Sequence, residues 1–348
     1  MNERKSKLPV LWVLIFITAV LIFILETFLP SGQGGSLLFN LTFWIALVEG
    51  SIAVVAASEV SNGKWLKPFK RELLSVYPLL PVFAILFIIF IPRVEYFPWS
   101  HEEGIWLNKD LFIFRSILFP LIAFVSARKF AIESIKESPK QNFYGVIYIL
   151  VFVTSQTSVA FDWVMSLEYP WFSTLFGGLL FIEAFYMGLG LGGVLIFFYH
   201  KYYKEAYPDT FEKSRMDVAT LLFAFATFWG AQFYTQYLVI WYGNIPEEVS
   251  MIAYRVASSP LREFSYLMVV FLFVIPFLTF LSRKLKANYT VFLLISLVVW
   301  GGVSIHRLVF IAPRLSTSPL LLIVEFILIG ALFVYVVKYR EELIPGTV

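Results

Sequence analysis

The stretch Phe161-Asp162-Trp163-Val164-Met165-Ser166-Leu167-Glu168-Tyr169-Pro170-Trp171-Phe172-Ser173-Thr174-Leu175-Phe176-Gly177-Gly178 joins two long apolar segments through a very short turn. It carries a carboxylate, Asp162, within the apolar text and an acidic aromatic corner, Glu168 to Trp171, at the turn. Long apolar segments on both sides of so tight a connection read as consecutive membrane-crossing helices. Acids inside such segments are costly and mark candidate functional positions.

The same texture extends through the chain. Of 348 residues, 59% are hydrophobic and 15% charged, with a mean hydropathy of +0.79. A soluble domain is near half apolar and a quarter charged. The excess falls in continuous runs of roughly 20 residues, the length an α-helix needs to cross the hydrocarbon core. Continuous rather than alternating runs argue for helices and against a barrel. The reading is an all-α polytopic membrane protein of about ten spans: Pro9–Pro30, Leu37–Val60, Val76–Ile91, Leu111–Glu133, Phe143–Ser166, Phe172–Tyr199, Val218–Gly243, Glu263–Leu281, Tyr289–Phe310 and Pro319–Val337. The first run is too long for a signal-peptide core and lacks a small-residue cleavage site, so it is expected to remain as a span.

Basic residues set the expected orientation. One side collects Arg4, Lys5, Lys7, Lys64, Lys67, Lys70, Arg71, Arg128, Lys129, Lys136, Lys140, Lys201, Lys204, Lys213, Arg215, Arg283, Lys284, Lys286, Lys338 and Arg340. The other holds Arg93, Lys109, Arg255, Arg262, Arg307 and Arg314. Lys/Arg excess marks the cytoplasmic face, so both termini are expected there, as an even number of spans requires. Trp99, Trp106, Trp163, Trp171, Trp241 and Tyr242 fall where spans meet water, as interfacial belts do.

Spans two to five and six to nine read as two tandem four-helix bundles in the same orientation. Leu47-Val48-Glu49-Gly50 in the second span matches Phe181-Ile182-Glu183-Ala184 in the sixth. Pro120 to Lys129 matches Pro276 to Lys284, and Asn142-Phe143 with Ser158 matches Asn288-Tyr289 with Ser304. The expected organisation is an N-terminal helix (1–36), a first bundle (37–170), a second bundle (171–312) and a C-terminal helix (313–348). The glycines of Met187-Gly188-Leu189-Gly190-Leu191-Gly192-Gly193 suit close helix contact; with no strand before them they are not a phosphate loop.

Glu49 and Glu183 lie about 16–18 Å from the outer ends of their spans at 1.5 Å per residue, near the midplane. A carboxyl group there tends to be neutral unless it has a partner or water, and such a group can relay a proton. A helix-packing hydrogen bond, or pairing with Arg115 or another cation, are the alternatives. Asp162, Glu168, His306 and Arg307 fall toward the outer face and are expected to form one polar cluster, with Arg115 neutralising Asp162. That cluster reads equally as part of a proton path or as an ion-pair clasp between the bundles. Glu26, Glu59, Asp217 and Glu325, closer to span ends, read as anchors or solvated groups.

The absence of cysteine removes iron–sulfur ligation and thiolate chemistry. The three histidines, His101, His200 and His306, do not pair at one depth, so a haem carried by this chain is not expected. No nucleotide site, hydrolase triad, metal-ligand spacing or nucleic-acid partner is expected either.

The opening stretch resembles the signature of the NrfD-like membrane subunits of the ActF type in bacterial alternative complex III. Two more stretches are similar to that family. One is Leu221-Leu222-Phe223-Ala224-Phe225 running to Gln236-Tyr237-Leu238-Val239-Ile240-Trp241-Tyr242-Gly243-Asn244-Ile245-Pro246-Glu247-Glu248. The other is Asn62-Gly63-Lys64-Trp65 with Lys67-Pro68, then Phe97-Pro98-Trp99 and Leu107-Asn108-Lys109. The resemblance implies a ten-helix fold with two four-helix bundles in the bacterial inner membrane. It implies a place in a quinol:electron-acceptor oxidoreductase, beside a second NrfD-like subunit, an iron–sulfur subunit and c-type cytochrome subunits. On that reading the complex holds haem c and iron–sulfur clusters and uses quinol. This chain would bind no redox cofactor and would help to conduct protons, with Asp162, Glu168 and the Gln236–Trp241 stretch as the matching positions. The ninth span departs from the pattern: Ile305-His306-Arg307-Leu308 stands where relatives tend to show an acidic-aromatic run. Two other readings stay open: a subunit that itself binds quinol, and an independent secondary transporter.

Overall fold

The computed structural model describes residues 7–29, 32–63 and 65–344. Arg4, Lys5 and Lys64, used above for orientation, and Pro30, the expected end of the first span, lie outside the described residues. Among those described, ten helices are long and apolar enough to cross a membrane: Leu8–Phe28, Gly35–Val60, Lys70–Tyr96, Lys109–Ile135, Gln141–Glu168, Thr174–Ala206, Phe211–Gly243, Leu261–Leu281, Tyr289–Ile311 and Pro319–Lys338. The protein is an all-α, multi-pass membrane protein. The spans are numbered first to tenth below. The face where Lys7 precedes the first span and Lys338 ends the tenth is the terminal face, and the opposite one is the far face.

Three spans are interrupted, two of them at prolines. Pro78, Pro81 and Pro92 break the third into short α and 3-10 pieces between Lys70 and Tyr96, because proline withholds the N–H that an α-helix needs. The eighth widens into a π turn, Val270–Val274, just before Pro276. The fifth does the same at Val159–Val164, the turn that carries Asp162. Such bulges relax the regular hydrogen-bond ladder and re-aim side chains.

The sixth and seventh spans run past their apolar text, to Ala206 and from Phe211, instead of stopping at Tyr199 and starting at Val218. At 33 residues each they are about 50 Å long, well over the ~30 Å hydrocarbon core. Their charged ends, such as Lys201 to Glu205 and Phe211 to Arg215, project beyond it.

Helix packing follows two closed rings. In the first, the second span packs on the third, the third on the fourth, the fourth on the fifth and the fifth on the second. The sixth to ninth spans close in the same order. The first and tenth pack on one another and against the third and second. The rings meet mainly along the second and sixth spans, and every residue from Gly34 to Ala56 is buried. Two glycines allow this approach. A Cβ on Gly50 would lie 1.7 Å from the Ala184 carbonyl oxygen, and one on Gly188 would lie 2.5 Å from the Gly50 backbone. Small residues at such crossings let backbones touch and gain packing contacts. Outward-facing side chains, Phe16, Phe143, Leu150, Leu320 and Val334 among them, are apolar and exposed, the surface a bilayer covers.

Candidate functional site

The buried acids fall into separate sites rather than one cluster. Glu49, on the second span, is fully buried. Its carboxyl accepts hydrogen bonds from the fifth span: Ser155 Oγ to Oε1 at 2.8 Å and Gln156 Nε2 to Oε2 at 2.8 Å. Tyr148 donates its hydroxyl to the Glu49 carbonyl at 2.9 Å. These donors are all neutral. Hydrogen bonds orient such a carboxyl without supplying the counter-charge that a buried carboxylate otherwise needs.

Glu183, on the sixth span, has the opposite surroundings. Arg307 Nη1 lies 2.6 Å from its Oε2, and His306 Nδ1 lies 2.7 Å from its Oε1. Trp229, on the seventh span, donates its indole N–H to Oε1 at 2.8 Å. All four residues are buried to within 2% of completeness. Short, multiply hydrogen-bonded geometry is what lets a buried ion pair offset the loss of water.

His306 and Arg307 therefore pair with Glu183, where the sequence reads them as clustering with Asp162 and Glu168. Both point inward from the far end of the ninth span. Arg307 is four residues from Ile311, about 6 Å along the helix at 1.5 Å per residue, and its long side chain covers the remaining depth to Glu183.

Asp162 does meet Arg115, and the pair is bidentate: Nε to Oδ2 at 2.9 Å and Nη2 to Oδ1 at 3.0 Å. Trp106 Nε1 donates to Oδ1 at 3.0 Å and Ser158 Oγ to Oδ2 at 2.9 Å. The Arg115 guanidinium lies over the Trp106 ring, 4.3 Å from its centroid. The Asp162 carboxylate is thus fully occupied by donors. A planar guanidinium matches a carboxylate in this fork arrangement better than an ammonium does.

Glu168 is gripped from two connections at the far face. Arg255, on the short helix Pro246–Ala257, reaches Oε1 at 2.5 Å, and Arg314 reaches Oε2 at 2.7 Å. Burial pushes the Arg255 guanidinium down from its ordinary value, while the Glu168 carboxylate opposes the shift. Arg314, more exposed, is pushed up by its hydrogen bond to Glu168. Arg255 also sits over the Phe310 ring at 4.2 Å. This arrangement ties the acidic aromatic corner to the connections that follow the seventh and ninth spans.

Between Arg255 and His306 lies an apolar cavity of about 100 Å³. Phe176, Gln236, Met268 and Phe310 complete its principal walls. His306 both lines this cavity and pairs with Glu183, so it connects the cavity to the buried charge. The buried Gln236 Oε1 meets no donor.

Two acids read as anchors or solvated groups behave otherwise. Glu26 and Glu325 are buried, at 2% and 0% exposure. Their helices close a seam against the second and third spans, which the linear distance from a helix end does not reveal. Glu59 is partly buried and pairs with Lys70 at 2.6 Å, an anchor at the terminal face. Ser155, Gln156, Trp229, Arg255 and Arg314 complete the sites, roles that their places in the linear sequence do not assign. Midspan Ser155-Gln156 and Trp229 were the available signals, being polar or hydrogen-bonding groups where lipid offers no partner.

No family model matches the chain, and no curated protein is detectably similar to it.

Proposed function

We propose that this chain is a membrane subunit of a quinol-oxidising respiratory complex of the alternative complex III kind. It carries no redox centre of its own, supports assembly and takes part in proton movement. Its partners on this reading are a second NrfD-like subunit, an iron–sulfur subunit and c-type cytochromes in the bacterial inner membrane, with both termini cytoplasmic. The sequence signatures around Phe161–Gly178 and Gln236–Glu248 support the family reading. The observation that carries the proton role is the contrast between two deep carboxyl groups. Glu49 is held by Ser155 and Gln156 alone, and Glu183 is tied to His306 and Arg307. A carboxyl with neutral donors exchanges a proton without breaking an ion pair. One locked to a guanidinium supplies a fixed charge beside the path.

A second reading, that the chain itself binds quinol, draws on the apolar cavity at His306, which at about 100 Å³ is below the roughly 300–1,000 Å³ of ligand pockets and would have to widen to admit a quinol ring. Quinol chemistry needs an apolar slot with a few hydrogen-bonding groups, and His306 and Gln236 offer them.

Purification from native membranes in a mild detergent tests the assignment. The expected result is a complex with haem absorption and iron–sulfur signals. Isolation as a lone, cofactor-free chain would support an independent transporter instead. Quinone bound against His306 in the purified complex would favour the second reading.

A further inference from the structure

At the terminal face the first ring opens on a cavity of about 510 Å³, within the roughly 300–1,000 Å³ of ligand pockets. Glu59, at the end of the second span, Lys67 and Lys70, at the entry to the third, Glu137, after the fourth, and Gln141, opening the fifth, line it. Phe143 and Val146, two and five residues after Gln141, are exposed apolar side chains of the kind a bilayer covers. The cavity is therefore at the level of the lipid headgroups.

Four of the lining groups carry charge, and only two of them are matched. Lys70 Nζ lies 2.6 Å from Glu59 Oε1, which also accepts from Ser134 Oγ at 2.7 Å. Among the described residues, neither Lys67 nor Glu137 forms an ion pair, and both are exposed. The cavity thus presents one free cation and one free anion. A ligand of a single charge answers one of them and is repelled by the other, whereas a zwitterion answers both.

The hydrogen-bond deficit has one sign. Glu59 Oε2 and Gln141 Oε1 are buried and meet no donor, and the Glu59 side chain is only 10% exposed. Lys70 does not supply the missing hydrogens, being held by Glu59 Oε1 and the Ser134 carbonyl. The positive end of the ligand must therefore carry N–H groups. A primary ammonium has three, and a quaternary ammonium has none.

We infer that this cavity binds the headgroup of an ethanolamine phospholipid, with the ammonium among Glu59, Glu137 and Gln141 and the phosphate at Lys67. The acyl chains then follow the apolar outer face of the fifth span, past Phe143 toward Leu150. The site is on the opposite face from the His306 cavity and does not depend on the respiratory assignment.

Lipid retention by the delipidated full chain in mild detergent, read by native mass spectrometry, tests this. Short-chain phosphatidylethanolamine, phosphatidylcholine and phosphatidylglycerol are offered at equal concentration. The choline lipid keeps the phosphate and the positive charge but has no N–H, and the glycerol lipid has no cation. Wild type should retain the ethanolamine lipid severalfold over each of the others. Gln141→Leu and Glu137→Gln, which break no pair in the structure, should each reduce the preference over the choline lipid severalfold. Equal retention of the ethanolamine and choline lipids by wild type means general lipid contact and overturns the proposal. A preference that survives both substitutions places the lipid elsewhere on the chain and also overturns it. Glycerophosphoethanolamine, the same headgroup without acyl chains, should fail to displace the lipid at equal concentration. Displacement there means a soluble ligand and overturns the assignment to a lipid.

Discussion

Glu49 and Glu183 occupy the two helices that meet where Gly50 contacts Ala184 and Gly188, yet only Glu183 has a counter-charge. The difference is local. Each acid leans on the last helix of its own ring, but the fifth span offers Ser155 and Gln156 where the ninth offers His306 and Arg307. Two similar placements thus produce one neutral-donor site and one ion-paired site.

The ion pair makes a stability prediction. Removing Arg307 leaves the buried Glu183 with only His306 and Trp229 as partners, and breaking a buried ion pair costs about 3–5 kcal/mol. Arg307→Gln should therefore lower the unfolding temperature in detergent sharply. The double variant Glu183→Gln, Arg307→Gln removes both charges and should regain much of that loss. A double variant no more stable than Arg307→Gln would show that the guanidinium matters for its packing rather than its charge.

Glu49 predicts the converse. Glu49→Gln keeps an oxygen that accepts from Ser155 or Gln156, and no cation is stranded. Stability should change by less than about 1.5 kcal/mol, the range of a single rearranged hydrogen bond. Proton movement by the assembled complex, followed with a pH-sensitive dye in vesicles, should fall severalfold or more. Unaltered proton movement in a correctly assembled Glu49→Gln complex removes Glu49 from the path.

The spans were legible because each must cover the same hydrocarbon thickness with apolar side chains, which leaves a run that needs no tertiary information. Their ends were less so. Lys201 to Glu205 extends the sixth span as helix outside the apolar layer, and hydropathy does not register helix in water. Among the site residues, Arg115 and Asp162 could be matched because both lie near the same end of adjacent spans. The sequence allows Glu183 a cation as one alternative but places Arg307 in the outer cluster, because the reach of an arginine side chain decides that pairing. Arg255 and Arg314 come from connections, whose course no periodicity encodes. Glu26 and Glu325 sit close to helix ends in the sequence, and only the packing of the first and tenth spans makes them buried.

The grip on Glu168 predicts a local change. Arg255 fastens the helix Pro246–Ala257 to the acidic corner through a buried contact. Glu168→Gln leaves the Arg255 guanidinium buried without its carboxylate. Hydrogen–deuterium exchange should then rise across residues 246–257, while the second span keeps its protection. Uniform exchange across both regions would mean that Glu168 supports the whole fold instead of this connection.

The contact between the two rings predicts which glycine substitution is tolerated. Alanine normally favours a helix interior over glycine by up to about 1 kcal/mol. At Gly50 that gain is overridden, because the added carbon would stand 1.7 Å from a backbone oxygen that no side-chain rotation can move. The second and sixth spans must separate, and overpacking of this kind costs roughly 1–3 kcal/mol. Gly243, which has nothing within 4 Å of the same atom, serves as the control. Gly50→Ala should lower the unfolding temperature and broaden the transition, and Gly243→Ala should leave both unchanged. A Gly50→Ala protein as stable as the control would mean that the two four-helix rings are not held at this crossing.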